Sequence, residues 1–251
     1  MVKQKIKKCL ACQANGPESR PDPLHMSPLP PKPWHTLNMD FCGPLPTGEY
    51  LFVIIDAYSR FPEVEIVHST SAKAIIPKMD RIFSTHGIPD TLRSDNGPPF
   101  TSNEIREYMQ ENGINHKKIT PLWPQANSEA ESFMKPLMKA IRSASVEGTQ
   151  WKKHLYRFLL NYRATPHTTT GFAPAELLFN CKIQTKLLQS QFITVPSDMS
   201  ARVIENDAKA KAKMKAHADK GTQVSKIQVG DLVVVVVIVR QRKQNKLSTP
   251  V

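Results

Sequence analysis

Tyr50-Leu51-Phe52-Val53-Ile54-Ile55-Asp56 is the stretch whose reading decides the fold. It is an apolar run bounded upstream by Pro44, Pro46 and Gly48, and it reads as a strand. Trp34 to Phe41 before it and Phe61 to Val67 after it have the same character, and the short turns between the three favour an antiparallel meander. The pattern then changes. Ser71 to Thr85 carries Ala74, Ile75, Met79, Ile82 and Phe83 at helical spacing and stops at His86-Gly87. Asp90 to Ser94 reads as a short strand, Ser102 to Glu111 as a helix ending near Gly113, and Asn115 to Thr120 as another strand. Helices at Ser128 to Ser145 and Trp151 to Tyr162 complete a unit ending near Phe179. Hairpins followed by strand, helix and strand predict a mixed α/β (α+β) architecture.

The flanks differ from this centre. Residues 1 to 13 are basic and carry Cys9-Leu-Ala-Cys12, and Pro17 to Pro33 is a proline-dense stretch that disfavours helix and sheet and reads as a semi-rigid linker. Asn206 to Lys220 alternates Ala with Lys, which is strongly helix-forming but basic on every face, so shallow packing is expected. After Gly230-Asp231 comes a valine-rich β run with Arg240, Arg242, Lys243 and Lys246 behind it, too short to bury a core of its own.

With 251 residues and a 40% hydrophobic fraction, the chain can build one large domain or two modest ones. Its formal net charge of +12 favours a polyanionic partner such as nucleic acid. No stretch approaches the roughly 20 apolar residues that span a bilayer, the longest run being Leu232 to Val239, and the first eight residues lack an apolar signal core. Cys9, Cys12, Cys42 and Cys181 do not form a disulfide framework, and an intracellular, reducing location is the default expectation.

Three carboxylates carry the candidate chemistry. Asp40 ends Thr36-Leu37-Asn38-Met39-Asp40-Phe41, Asp95 lies in Ser94-Asp95-Asn96-Gly97-Pro98-Pro99-Phe100, and Glu131 closes Pro124-Gln125-Ala126-Asn127-Ser128-Glu129-Ala130-Glu131. Acids gathered from separate elements are a usual means of holding Mg²⁺ against substrate phosphates. Two of them stand where strand ends meet loops, the place where open sheets bind ligands. With two metal ions, such a trio can activate a water or 3′-hydroxyl and stabilise the leaving oxygen of a phosphodiester. Plainer readings stand beside this one: Asp95-Asn96-Gly97-Pro98 is also an ordinary turn signature, and Glu131 is also an ordinary first-turn helix residue. The amides of Asn96, Gln125 and Asn127 suit phosphate or base contacts. Lys135 and Lys139 follow Glu131 by four and eight residues and share its helix face, although Pro136 predicts a kink between them. Asp56, in Ile55-Asp56-Ala57-Tyr58-Ser59-Arg60, reads as structural, capping its turn or pairing with Arg60.

The motifs Asn38 to Phe41, Ile55 to Arg60, Ser94 to Phe100, Pro124 to Glu131 and Asn161-Tyr162-Arg163-Ala164-Thr165-Pro166-His167 together resemble the integrase region of gypsy-type LTR retrotransposon polyproteins, over about residues 34 to 180. The resemblance implies a ribonuclease H-like core, with a mixed five-stranded sheet and flanking helices, that acts as a polynucleotidyl transferase. It would process DNA 3′ ends and join them to target DNA. Asp40, Asp95 and Glu131 inherit the catalytic Mg²⁺ or Mn²⁺ positions, and Asn96, Gln125, Asn127, Lys135 and Lys139 fall where relatives contact DNA. It further implies a homo-oligomer when active and a nuclear site of action. Cys9 and Cys12 resemble the second half of a zinc module, but no histidine precedes them, so no stable zinc site is expected. The corresponding organisation is a zinc-module remnant over 1–16, a Pro-rich linker over 17–33, a catalytic core over 34–190, a basic helical linker over 191–226 and a shortened β domain over 227–251. Ser128 stands where the family usually has glycine, and Ser132 where it often has arginine. The incomplete flanks motivate an alternative expectation, a catalytically decayed or domesticated integrase-like DNA-binding protein.

Overall fold

The computed structural model describes residues 23–24, 26–119, 128–186 and 198–222. Five strands run as β1 (Thr36–Cys42), β2 (Tyr50–Asp56), β3 (Pro62–Val67), β4 (Thr91–Ser94) and β5 (Asn115–Lys118). Six helices follow in chain order: α1 (Ala72–His86), α2 (Asn103–Glu111), α3 (Ser128–Val146), α4 (Trp151–Ala164), α5 (Pro174–Phe179) and α6 (Met199–Ala218). The sheet order is β3-β2-β1-β4-β5. β1, β2 and β3 form the antiparallel meander, whereas β4 pairs parallel with β1, and β5 parallel with β4. The chain therefore leaves β1 to one side for β2 and β3 and returns on its other side with β4, which makes the β1–β4 boundary the switch point of the sheet.

β2 is apolar from Leu51 to Ile55 because both faces of the sheet are covered. Phe52 and Ile54 join Leu37, Met39, Ile75, Met79 and Ile105 in one core cluster, beneath α1 and α2. Leu51, Val53 and Ile55 join Ala130, Phe133, Leu137 and Leu155 in a second, beneath α3 and α4. The two-residue period of the strand thus feeds two cores. At one edge of the sheet Glu65 of β3 pairs with Lys78 and Arg81 of α1, and at the other β5 exposes Asn115, Lys117 and Lys118, so both edges are polar. α1 stops at Gly87, whose φ of 89° suits a residue without a Cβ and whose N–H donates to the Phe83 carbonyl at 2.8 Å.

α3 runs through Pro136 as the single helix expected, with that proline on its exposed side. Two features depart from the sequence reading. α5 is a six-residue helix opened by Pro174, and the Glu176 carboxylate accepts from the Ala173 N–H at 3.1 Å. α6 begins at Met199, earlier than its Ala-Lys repeat, and its first half is not shallow. Val203 is fully buried with Tyr58, Phe172 and Leu177, Asp207 is buried, and Asn206 donates to the Thr170 carbonyl at 2.9 Å. The basic character survives in its second half.

The chain divides into a main unit, Met26–Lys213, and a smaller one made of Met1–His25 and Met214–Val251. Within the smaller unit Leu24 donates its N–H to Asp219 at 2.7 Å, and Lys215 donates to the Leu24 carbonyl at 2.6 Å. Among the described residues no helix is long and apolar enough to cross a membrane, and Cys42 and Cys181 are free thiols.

Candidate active site

Asp40 lies near the C-terminal end of β1 and Asp95 one residue past the end of β4. Thr36, Leu37 and Asn38 pair with Thr91, Leu92 and Arg93 in parallel register. The ladder ends at the Asn38–Arg93 pair, where neighbouring strands lie about 4.8 Å apart, and Asp40 and Asp95 each lie two residues beyond it. The two carboxylates therefore stand at the carboxyl ends of adjacent parallel strands, at the switch point. Asp40 is half-buried and accepts the Phe41 N–H at 2.7 Å through Oδ1. Its negative charge is felt two residues on, since burial first and the Asp40 carboxylate second push the Cys42 thiol up, against the opposing charge of Arg142.

Asp95 is exposed in the turn after β4, and its Oδ1 accepts the Gly97 N–H at 3.0 Å. A Cβ on Gly97 would lie 3.1 Å from Oδ1 and 3.2 Å from Oδ2. That is tighter than ordinary contact, so the missing side chain is what lets backbone and carboxylate close on each other. Gly97→Ala is expected to displace the carboxylate by a few tenths of an ångström, costing roughly tenfold in metal-dependent turnover. The melting temperature should stay near wild type, because the turn is exposed. Parallel kinetics and thermal melts check both halves.

α3 approaches the same side of the sheet. Asn38, Asp40 and Cys42 alternate with Met39, which belongs to the α1–α2 core, and Cys42 packs in the α3–α4 core. Ala130, Phe133, Leu137 and Ile141 are the buried stripe of α3. Glu131 follows Ala130 in its first turn; its side chain lies outside the described residues. Glu129, two positions earlier, is fully engaged. One of its oxygens accepts from buried Asn38 Nδ2 at 2.7 Å and the other meets the Arg60 guanidinium. Arg60 is itself buried and also binds Asp207 of α6 at 3.1 Å. Sequence reasoning missed this brace; the motif Tyr58-Ser59-Arg60 gives no sign of partners at positions 129 and 207. It also decides between the two readings of Asp56 in favour of capping. That carboxylate caps its turn, accepting from the N–H of Tyr58 at 3.2 Å and from the N–H and hydroxyl of Ser59 at 3.0 and 2.6 Å, while Arg60 pairs elsewhere. Burial pushes the Asp56 carboxyl up, and those donors counter it.

Lys135 and Lys139 are both exposed, and with Arg142, Ser143, Val146 and Glu147 they line an open groove of about 410 Å³ along α3. Arg142, one turn beyond Lys139, extends the basic stripe and was not singled out from sequence, although its spacing signals it. Asn96 is exposed beside Asp95. Gln125 and Asn127, and the cysteine pair Cys9 and Cys12, lie outside the described residues. Among the described residues no group of three or more His, Cys, Asp or Glu side chains is clustered to hold a metal ion. Of the sequence-predicted trio, the described residues show Asp40 and Asp95 near the ends of adjacent parallel strands and Glu131 as a position in the first turn of α3.

Residues 30–124 match the family model described as "integrase core domain", a span that includes Asp40 and Asp95. The chain carries an integrase core domain. An uncharacterized Caenorhabditis elegans protein, K02A2.6, is 36% identical over 203 residues, covering 80% of this chain and 16% of that protein. The Tf2-3 transposon polyprotein of Schizosaccharomyces pombe is 25% identical over 251 residues, covering 93% of this chain and 19% of the polyprotein. The chain thus spans less than a fifth of the length of these curated relatives. The transposon polyprotein bears out the resemblance to retrotransposon integrases drawn from the motifs.

Solved structures place the integrase core by fold. A simian T-cell lymphotropic virus intasome, in complex with the PP2A regulatory subunit B56 gamma, aligns with a TM-score of 0.59 and 17% identity over 77% of this chain and 72% of that one. The HTLV-2 integrase catalytic core domain in complex with magnesium, in a trimeric form, aligns with a TM-score of 0.51 and 16% identity over 59% of this chain and 98% of that one. The mixed five-stranded sheet with flanking helices is the ribonuclease H-like fold expected from the motifs.

Proposed function

We propose that this chain is the catalytic core of a retroelement integrase, a polynucleotidyl transferase that processes DNA 3′ ends and joins them to target DNA with Mg²⁺ or Mn²⁺. What supports the reading is that β1 and β4 are adjacent parallel strands at the switch point of the sheet, with Asp40 and Asp95 each two residues beyond the Asn38–Arg93 pair. Both are hard carboxylate donors at strand ends, and Gly97 leaves bare backbone against one of them, which suits a small divalent cation bound by few side chains plus phosphate. Asp40, Asp95 and Glu131 would hold the metal. With both oxygens of Glu129 committed to Arg60 and Asn38, Glu131 is the acid of that turn left for the role. When bound, the metal supplies an activated water or 3′-hydroxyl and offsets charge on the leaving oxygen.

The remaining work falls to the chain's own residues. Lys135 and Lys139, on the exposed flank of α3, would neutralise DNA phosphates, and Asn96, Gln125 and Asn127 would orient the backbone or bases near the acids. The brace from Asn38 and Arg60 to Glu129 fixes the first turn of α3 over β1. The domain limits given above, with a core over 34–190, belong to this proposal. So do a homo-oligomeric active form, which the intasome and trimeric neighbours support, and a nuclear site of action.

Nicking of supercoiled plasmid tests the reading without knowledge of the DNA end sequence. Open circles are expected to accumulate with Mn²⁺ or Mg²⁺ and to vanish in EDTA. Nicking at the same rate in EDTA, or none with either metal, contradicts the proposal.

A further inference from the structure

Ser94, the last residue of β4, is fully buried and immediately precedes Asp95. Its hydroxyl makes two contacts: it donates to the Asp95 carbonyl at 2.9 Å and lies 2.9 Å from His116 Nε2. His116 belongs to β5, where it pairs with Leu92, so its ring crosses diagonally to reach Ser94 on the next strand. A serine hydroxyl has one proton. If that proton goes to the Asp95 carbonyl, the imidazole must be the donor in the other bond, which assigns the Nε2–H tautomer from the hydrogen-bond network. Burial, with the Lys118 charge behind it, pushes the His116 ring down from its ordinary value, which favours the neutral ring in which the tautomer matters. The flanking backbone is anchored as well, since Ile119 donates its N–H to the Ser94 carbonyl at 2.8 Å.

We propose that His116 is a positioning residue for the metal site: through Ser94 it orients the peptide of Asp95 and so aims the Asp95 carboxylate at Asp40. The relay and the Gly97 contact act on opposite sides of the same residue. Ser94 holds the Asp95 main-chain carbonyl, while Gly97 holds its side-chain oxygen. Neither contact touches the reacting atoms. The proposal rests on the metal-site reading above, and its test separates the two.

Mn²⁺ affinity is measured by calorimetry on wild type, Ser94→Ala, His116→Ala, His116→Gln and Asp95→Asn, alongside ¹⁵N NMR of the metal-free chain. His116→Ala and Ser94→Ala are each expected to weaken Mn²⁺ binding about tenfold or more, the scale of losses when a ligand's supporting hydrogen bond is removed. The Ser94→Ala/His116→Ala double variant, measured in the same way, should be no weaker than either alone, because both cut one relay. His116→Gln, whose amide can donate in place of Nε2–H, should return to within about threefold of wild type. In the metal-free chain the Asp95, Asn96 and Gly97 amide shifts should move in His116→Ala and return in His116→Gln. Amide shifts that do not move, or a glutamine variant that folds normally yet behaves like alanine, overturn the relay. Asp95→Asn with unchanged Mn²⁺ affinity instead overturns the metal-site reading, and the metal-free amide shifts then judge the relay on their own.

Discussion

Asp95→Asn is expected to reduce metal-dependent DNA cleavage by on the order of 10³-fold or more, about 4 kcal/mol or more of transition-state stabilisation. DNA affinity at moderate salt should be unchanged. The substitution is nearly isosteric, and an asparagine Oδ1 can still accept the Gly97 N–H that Asp95 accepts at 3.0 Å. What it loses is a negative charge and an oxygen donor in the proposed metal site, whose chemistry would depend on charge matched to a divalent cation. Asp40→Asn should behave alike, since its Oδ1 contact with the Phe41 N–H is likewise available to an amide. In the proposed reading, binding resides elsewhere, on the Lys135 and Lys139 flank of α3. Replacing each lysine by alanine should weaken binding across sequences and lower the salt slope by about one. Cleavage and binding measured on the same preparations separate the two effects. A variant that lost both in equal measure would point to misfolding.

Arg60→Met is expected to cost about 3–5 kcal/mol, the usual penalty for removing one partner of a buried ion pair. For a chain of this size that lowers Tm by roughly 10 °C. Arg60 is 5% exposed, has a left-handed φ of 66° and joins Glu129 of α3 to Asp207 of α6. Its charge is felt by its neighbours. Burial first and Arg60 second hold the His167 ring below its ordinary value, and burial pushes the Tyr162 hydroxyl up to about 12 despite Arg60. Arg60→Gly relieves the backbone strain yet removes the same ion pairs, so it too should destabilise. A glycine variant more stable than wild type would show that strain, not charge pairing, dominates at this position. Lys209→Ala, which breaks an exposed pair with Glu205, should leave Tm where it was. Because the guanidinium braces the helix that carries Glu131, Arg60→Met should also lower turnover at temperatures where it remains folded.

Most of the sheet was legible because its signals are local. Tyr50–Asp56 reads as a strand from its own residues, α1 announces itself by apolar spacing and its stop at Gly87, and α2 by its end near Gly113. Asp40, Asp95 and Glu131 stand out in the sequence as a candidate carboxylate trio, and the resemblance supplied the catalytic role proposed for them. What could not be read depends on partners distant in sequence. Glu129 reaches Asn38 across 91 positions, and Arg60 reaches Asp207 across 147. His116 takes its role from a hydroxyl 22 residues away, on a neighbouring strand. The helix α6 looked solvent-facing because lysines dominate its repeat, but Val203 and Asp207 are buried on its first turns. Gly97 was quoted only as part of a turn; that its missing side chain makes room for the Asp95 carboxylate is visible only once both atoms are placed.

The central claim is that Asp40 and Asp95 bind one divalent cation between them. An anomalous difference map from crystals of the chain soaked in Mn²⁺ addresses it directly. A peak coordinated jointly by Asp40 and Asp95, with Glu131 alongside, and absent from crystals of Asp95→Asn, is the predicted result. A map with no peak between the two strand ends, or one that persists in Asp95→Asn, would contradict it.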